Sequence, residues 1–231
     1  MMKKTIATLG IILASTVTSQ AAIVMGDLAI VGFNSDGTDN FHVLALNEIA
    51  SGETLLFTDN GWLSSGSFRD NEGTKTYTVG ATIAAGSIIV IGVSEGDGTA
   101  PSLAASGDQV LIFTGSNASP TFVYGLNDDG GGVWQANATS SNNSALPTGL
   151  VNGTTAVAIN EIDNAVFDFD NNGAPKTRDQ WLAAIGDKDN WIGSNSANQT
   201  PSVTSVTVIP ESSSAALLGL AGLVLLTRRR K

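Results

Sequence analysis

The chain reads as an all-β protein: a β-sandwich with one short helix near the C-terminal end of its folded body and a hydrophobic helix at each terminus. Three observations carry that reading. Apolar, β-branched runs of about five to eight residues recur between clusters of Gly, Asn, Asp and Ser, the rhythm of strands and turns. Thr76-Tyr77-Thr78-Val79 alternates hydroxylic and apolar side chains, as a strand with one buried face does. Inside the body, a helix start signal stands out at one place, near residue 177.

Taken in order, Lys3 and Lys4 precede an apolar stretch over 6–13, and Ser19-Gln20-Ala21 supplies a small-x-small cleavage pattern, so residues 1–21 are expected to be a signal peptide removed by signal peptidase. Strands are predicted over 27–33, 41–46, 54–58, 75–79, 87–93, 109–114, 121–124 and 155–159. Ile88-Ile89-Val90-Ile91 is apolar without interruption, which predicts a central strand covered on both faces. Asn34-Ser35-Asp36-Gly37-Thr38-Asp39 and Glu95-Gly96-Asp97-Gly98 carry turn chemistry, because Gly and Asp tolerate positive φ. Strands of this kind bury their apolar faces most simply by stacking two sheets.

Thr177-Arg178-Asp179-Gln180 has the form of a capping box and leads into Trp181-Leu182-Ala183-Ala184-Ile185. A short helix follows, with Trp181, Leu182 and Ile185 on one face, ended by Gly186 and with Trp191 packed nearby. The β-sandwich domain is expected over 22–195. Beyond it the chain turns to Ser, Asn, Thr and Val with little periodicity, which reads as a linker over 196–207 holding the domain off a membrane.

Residues 208–231 form the tail. Pro210-Glu211 is followed by serines, by a Gly-, Ala- and Leu-rich run over 215–226 without a charge, and by Arg228-Arg229-Arg230-Lys231. The run is shorter than the roughly 20 residues that ordinarily span a bilayer. A terminal cation cluster prefers the cytoplasmic side, which places the body outside. The order resembles the PEP-CTERM sorting tail of bacterial surface proteins, matched at Pro210, Glu211, Arg228, Arg229 and Arg230, with Ser212 where that family has a second proline. The resemblance implies a membrane contact through the C-terminal helix and an exosortase-type sorting enzyme as a partner. An uncut tail anchor is the alternative.

The terminal segments hold six of the 11 cations, leaving Arg69, Lys75, Lys176, Arg178 and Lys188 against 20 carboxylates once Glu211 is set aside. A body near −15 has no basic stripe with which to displace counterions, so nucleic acid is excluded as a partner. Divalent cations or a neutral extracellular polysaccharide suit such a surface, and so does plain solubility. Cysteine is absent, which removes disulfides, thiol nucleophiles and Cys-based metal sites.

Phe57-Thr58-Asp59-Asn60-Gly61-Trp62, then Phe68-Arg69 and Glu72-Gly73-Thr74, resemble a lamin-tail-like β-sandwich module of secreted bacterial proteins. Ser144-Ala145-Leu146-Pro147, Gly149-Leu150, Asn164-Ala165 and Asn190-Trp191 extend the resemblance over most of residues 23–195. It implies an interaction or matrix role, of the kind such modules have beside other domains, nucleases among them.

Among candidate sites, Asp168-Phe169-Asp170-Asn171-Asn172-Gly173, continued to Asp179, has the spacing of an EF-hand-like calcium loop. Oxygen ligands would come from Asp168, Asp170, Asn172 and Asp179, with Gly173 at the tight turn. The alternative is an Asn/Asp-rich turn before a helix, Asp179 merely favouring its N-terminus. Gly92-Val93-Ser94-Glu95-Gly96 matches a nucleophile elbow, but a loop follows it, and the only histidine, His42, comes earlier in the chain. His42 is expected as a hydrogen-bonded strand residue. Glu161 with Asp163, or Asp128 with Asp129, would make a glycosidase pair only at a set separation. Trp62 and Trp134 would stack on sugars only if exposed. No catalytic residue is assigned. The sequence leads to an exported, non-enzymatic surface module, with a secreted hydrolase and a calcium-dependent adhesion module as alternatives.

Overall fold

The computed structural model describes residues 22–92 and 94–211; the expected signal peptide and the tail from residue 212 lie outside them. The described chain is mostly β, with several sheets, an arrangement consistent with a β-sandwich. Its strands are β1 (Leu28–Asn34), β2 (Asn40–Ala45), β3 (Thr54–Thr58), β4 (Trp62–Leu63), β5 (Ser67–Phe68), β6 (Thr74–Thr78), β7 (Ile88–Gly92) and β8 (Asp97–Gly98). There follow β9 (Gln109–Ser116), β10 (Ser119–Asn127), β11 (Ala156–Ala158), β12 (Asn164–Phe167), β13 (Lys176–Thr177), β14 (Trp191–Ser194) and β15 (Val208–Ile209). Two α-helices, α1 (Phe169–Asn172) and α2 (Arg178–Ile185), and a 3-10 turn over Lys188–Asn190 lie late in the described chain.

One sheet runs β14-β12-β1-β2-β7 and the other β11-β10-β9-β3-β6-β8, while β13 pairs with β15 and β4 with β5. All eight expected strands are present, within a few residues at each end. The shortest strands, among them β4, β5, β13 and β15, have two residues each, too few to show a periodicity.

Both large sheets contribute to one core. Leu28, Ile30, Phe33, Val43 and Ile91 come from the five-stranded sheet, and Leu55, Phe57, Val110, Ile112 and Val123 from the six-stranded one. Alternate residues of β9 face opposite ways. Leu111 and Phe113 therefore join a second apolar cluster with Trp62, Phe68, Phe122, Ala145 and Leu150 on the far side of that sheet. β9 is thus covered on both faces over Gln109–Phe113, and β1 is buried along its whole length. The run over 88–91 is instead an edge strand, with Val90 51% exposed. Only Ile91 of the run is fully buried, so an unbroken apolar run does not by itself mark a strand covered on both faces.

Helix α2 forms as its capping box dictates. Thr177 Oγ1 accepts from Gln180 N and Gln180 Oε1 accepts from Thr177 N, at 3.3 and 3.0 Å. Trp181, Leu182 and Ile185 enter the core, Gly186 is the C-cap, and Trp191 Nε1 donates to Ile185 O.

The segment expected as a linker is stitched across the body. Gln199 exchanges hydrogen bonds with the Asn34 side chain, Ile88 N donates to Thr204 O, and Val206 N donates to Gly86 O. Trp181 Nε1 donates to Thr207 O, and β15 pairs in parallel with β13. Val203, Val206 and Val208 pack on the core. The folded body therefore extends past residue 195 to Ile209. The composition reads as solvated spacer, yet backbone groups of Gln199, Thr204, Val206 and Thr207 and the hydroxyl of Ser202 hold this strap to the domain.

Candidate functional site

The antiparallel registers gather polar residues at one end of the six-stranded sheet. Thr58 stands opposite Thr74 and Leu111, and Gln109 opposite Asn127. Hence Asp59 after β3, Glu72 before β6, Asp108 and Gln109 at the start of β9, and Asp128 after β10 arrive together. Asp39, just before β2, joins them from the other sheet.

Three of these carboxylates hold three successive backbone amides. Ser102 N donates to Asp59 Oδ2 at 2.6 Å, Leu103 N to Asp39 Oδ2 at 2.8 Å, and Ala104 N to Asp108 Oδ2 at 2.8 Å. Leu103 is thereby pressed into the end of the core. Behind the clasp, Asp108 Oδ1 accepts from Gln109 N and Asp128 Oδ1 from Asp108 N. Asn60 fastens the neighbouring loop, since its Oδ1 accepts from Asn71 N and Glu72 N and its Nδ2 donates to Glu72 O. Gly73 sits so close to this loop that a Cβ would stand 2.6 Å from Ala100 O and 2.8 Å from Thr99 O.

Burial dominates the electrostatics. It raises Asp108 to about 9 against the amides it accepts, with the charges of Asp59 and Glu72 adding to the rise. Glu72 is raised to about 7 by burial and then by Asp59, with Arg69 opposing. Asp128 is raised to about 7, again chiefly by burial, while Asp59 and Asp39 are raised for the same reason. Asp59 Oδ1, Glu72 Oε2 and Gln109 Oε1 are buried without a hydrogen-bond partner. Gln109 Nε2 donates to Asp59 O and to Ser141 O, which fixes the amide with its oxygen on the unpaired side.

The residues proposed for an EF-hand-like loop do not converge. Asp168 caps α1, accepting from Asn171 N and Nδ2, and these bonds lower its pKa. Asp170 accepts from Ser202 Oγ at 2.8 Å, and Asn172 O accepts from Lys176 Nζ. Asp179 pairs with Arg178 at 3.5 Å on the surface. A helical turn spreads residues 169–172 around its axis instead of aligning alternate side chains on one cation. Among the described residues, no group of three or more His, Cys, Asp or Glu is placed to hold a metal ion.

His42 lies on β2 opposite Gly32, buried, with Nδ1 lacking the hydrogen bond expected of it, and burial lowers its pKa. Ser94 donates to Glu95 Oε1, and the short strand β8 follows it, not a helix. Trp62 is 5% exposed and packs edge-on against Phe68 and Phe122, whereas Trp134 is half-buried with Nε1 on Asn152 Oδ1. Pro210 and Glu211 are exposed directly after β15, and Arg228, Arg229 and Arg230 lie outside the described residues.

Sequence reasoning passed over Asp39, Asp59, Glu72, Asp108 and Gln109 as a group. The available signal was an acidic or amide residue at the end of each of several strand-like runs, legible as one site only once the register is known. No protein-family model, curated protein or solved structure gives a significant match to the chain.

Proposed function

We propose that the chain is an exported surface protein whose β-rich body plays a structural or interaction role in the cell envelope or extracellular matrix, held or sorted through its C-terminal tail. The observation that carries this reading is the order of Pro210-Glu211, an uncharged apolar run and Arg228-Arg229-Arg230-Lys231, beginning directly after β15. The body supports an interaction role over sugar hydrolysis in two ways. Trp62, which stacking on a sugar would need at the surface, is buried. Asp39, Asp59 and Asp108 each give one carboxylate oxygen to a backbone amide of the loop over 102–104, and so serve to hold that loop.

Fractionation of the native host tests the proposal. The full chain is expected in the envelope, and a chain ending at Glu211 in the medium. Retention of the shortened chain in the envelope, or of the full chain in the cytosol, would overturn it.

A further inference from the structure

We infer that the sheet end binds a hard divalent cation of the calcium type, ligated by Asp59 Oδ1, Glu72 Oε2 and Gln109 Oε1. These oxygens are buried and none makes a hydrogen bond of good geometry, although the Gly73 amide lies near enough to the Asp59 carboxylate to lower its pKa. Asp59 is 1% exposed and Gln109 fully buried, so water cannot easily serve them. Glu72 is only partly exposed as a residue, its Oε2 is buried, and the Asp59 charge acts on its carboxylate. Leaving acceptors unpaired in this way is costly, and two carboxylates brought together raise the cost.

The other atoms of these side chains are already committed, which orients the free ones. Asp59 Oδ2 accepts from Ser102 N, and the Gln109 amide nitrogen donates to Asp59 O and Ser141 O. Asn60 pins the backbone of Glu72 from both sides. Two carboxylate oxygens and one amide oxygen, presented by three separate segments, are hard-cation ligands; calcium tolerates irregular placement of such ligands, whereas magnesium demands a near-ideal octahedron. A set of two carboxylates and an amide is also not the pattern of clustered Asp, Glu and His that marks most metal sites. The inference is independent of the export reading, so either can fail alone.

The test is calcium titration of the purified full chain in detergent, followed by calorimetry and thermal unfolding against EDTA. Saturable binding of one ion is expected, with the unfolding midpoint raised by roughly 5 to 10 °C at a hundredfold excess over Kd. Glu72→Gln, at the partly exposed ligand and so least apt to disturb folding, is expected to weaken binding at least tenfold, as is Asp59→Asn. Asp168→Asn with Asp170→Asn is expected to leave binding unchanged. Binding that survives Glu72→Gln and Asp59→Asn, or that is lost in the Asp168 and Asp170 variant, would overturn the site. So would a midpoint indifferent to calcium, which would mean that a proton, not a cation, lies between Asp59 and Glu72.

Discussion

Asp59, just past the end of β3, and Asp108, just before the start of β9, grip the same loop two residues apart. Asp59 Oδ2 takes the amide of Ser102 at 2.6 Å and Asp108 Oδ2 the amide of Ala104 at 2.8 Å, with Asp39 on the amide between them. An extended segment turns successive amides in different directions, so anchors must come from different elements. Here they come from both sheets, which makes the loop a tie across the end of the sandwich.

Asp39→Ala is the milder way to cut that tie, because Asp39 is less buried than Asp59 or Asp108. One amide loses its partner, at a cost of about 1 to 3 kcal/mol. Hydrogen exchange should accelerate in residues 99–108 and remain unchanged in β12. Uniform acceleration throughout the chain would show that the loop is not a separate unit.

Much of this fold was legible beforehand because strand signals are local. The sequence pattern places Thr54–Thr58 to the residue, and the Thr177–Gln180 box forms as its chemistry requires. What was missed depends on pairing. Ile88 to Ile91 reads as central, but the edge position of β7 follows from the sheet order. Asp168 to Asn172 has calcium-loop spacing, but four of its residues become helical and the spacing loses its meaning. Asp59 and Asp108 are 49 positions apart in sequence, and only the registry of β3 on β9 makes them neighbours.

Stability should fall as pH rises through neutrality. Asp128 has its folded pKa raised to about 7 from 3.8, so the folded state binds a proton that the unfolded chain has released. Its contribution is fully present below pH 3.8 and is lost as pH climbs through about 7. At roughly 1.4 kcal/mol per pH unit of displacement, the full span is on the order of 4 kcal/mol. Unfolding midpoints in EDTA between pH 5 and 9 should decline, and Asp128→Asn should flatten the decline. An unaltered slope in that variant would assign the effect elsewhere.

Trp62→Ala should be among the most damaging single changes outside the main core. The indole packs edge-on against Phe68 at 5.1 Å and Phe122 at 4.9 Å, between the short β4-β5 hairpin and the six-stranded sheet. Large-to-small changes of this kind cost about 3 to 5 kcal/mol. Denaturant unfolding measures it, and Trp62→Phe should recover more than half of the loss.

Thr177→Ala removes one half of the capping box and should cost about 1 kcal/mol. Because β13 ends at Thr177 and pairs with β15, the strap should also loosen. Gln180→Ala, which removes the reciprocal bond alone, should cost less. Equal losses in the two variants would mean that the threonine acts only through the helix.

Gly86 is where the strap can be detached without touching the strap itself. Its φ is +89°, and a Cβ there would stand 2.1 Å from Val206 O, the residue whose amide donates back to Gly86 O. Gly86→Ala therefore combines an unfavourable backbone conformation with a collision that only movement of residues 204–207 relieves. Gly52 provides the control, since its φ is +93° and nothing lies within 4 Å of a Cβ built there. Gly52→Ala pays the conformational term alone, about 1 to 2 kcal/mol. Limited proteolysis should then cut Gly86→Ala within 196–207 many times faster than the parent, and Gly52→Ala at close to the parent rate. Equal cutting of both variants would mean that general loss of stability, and not release of the strap, exposes the segment.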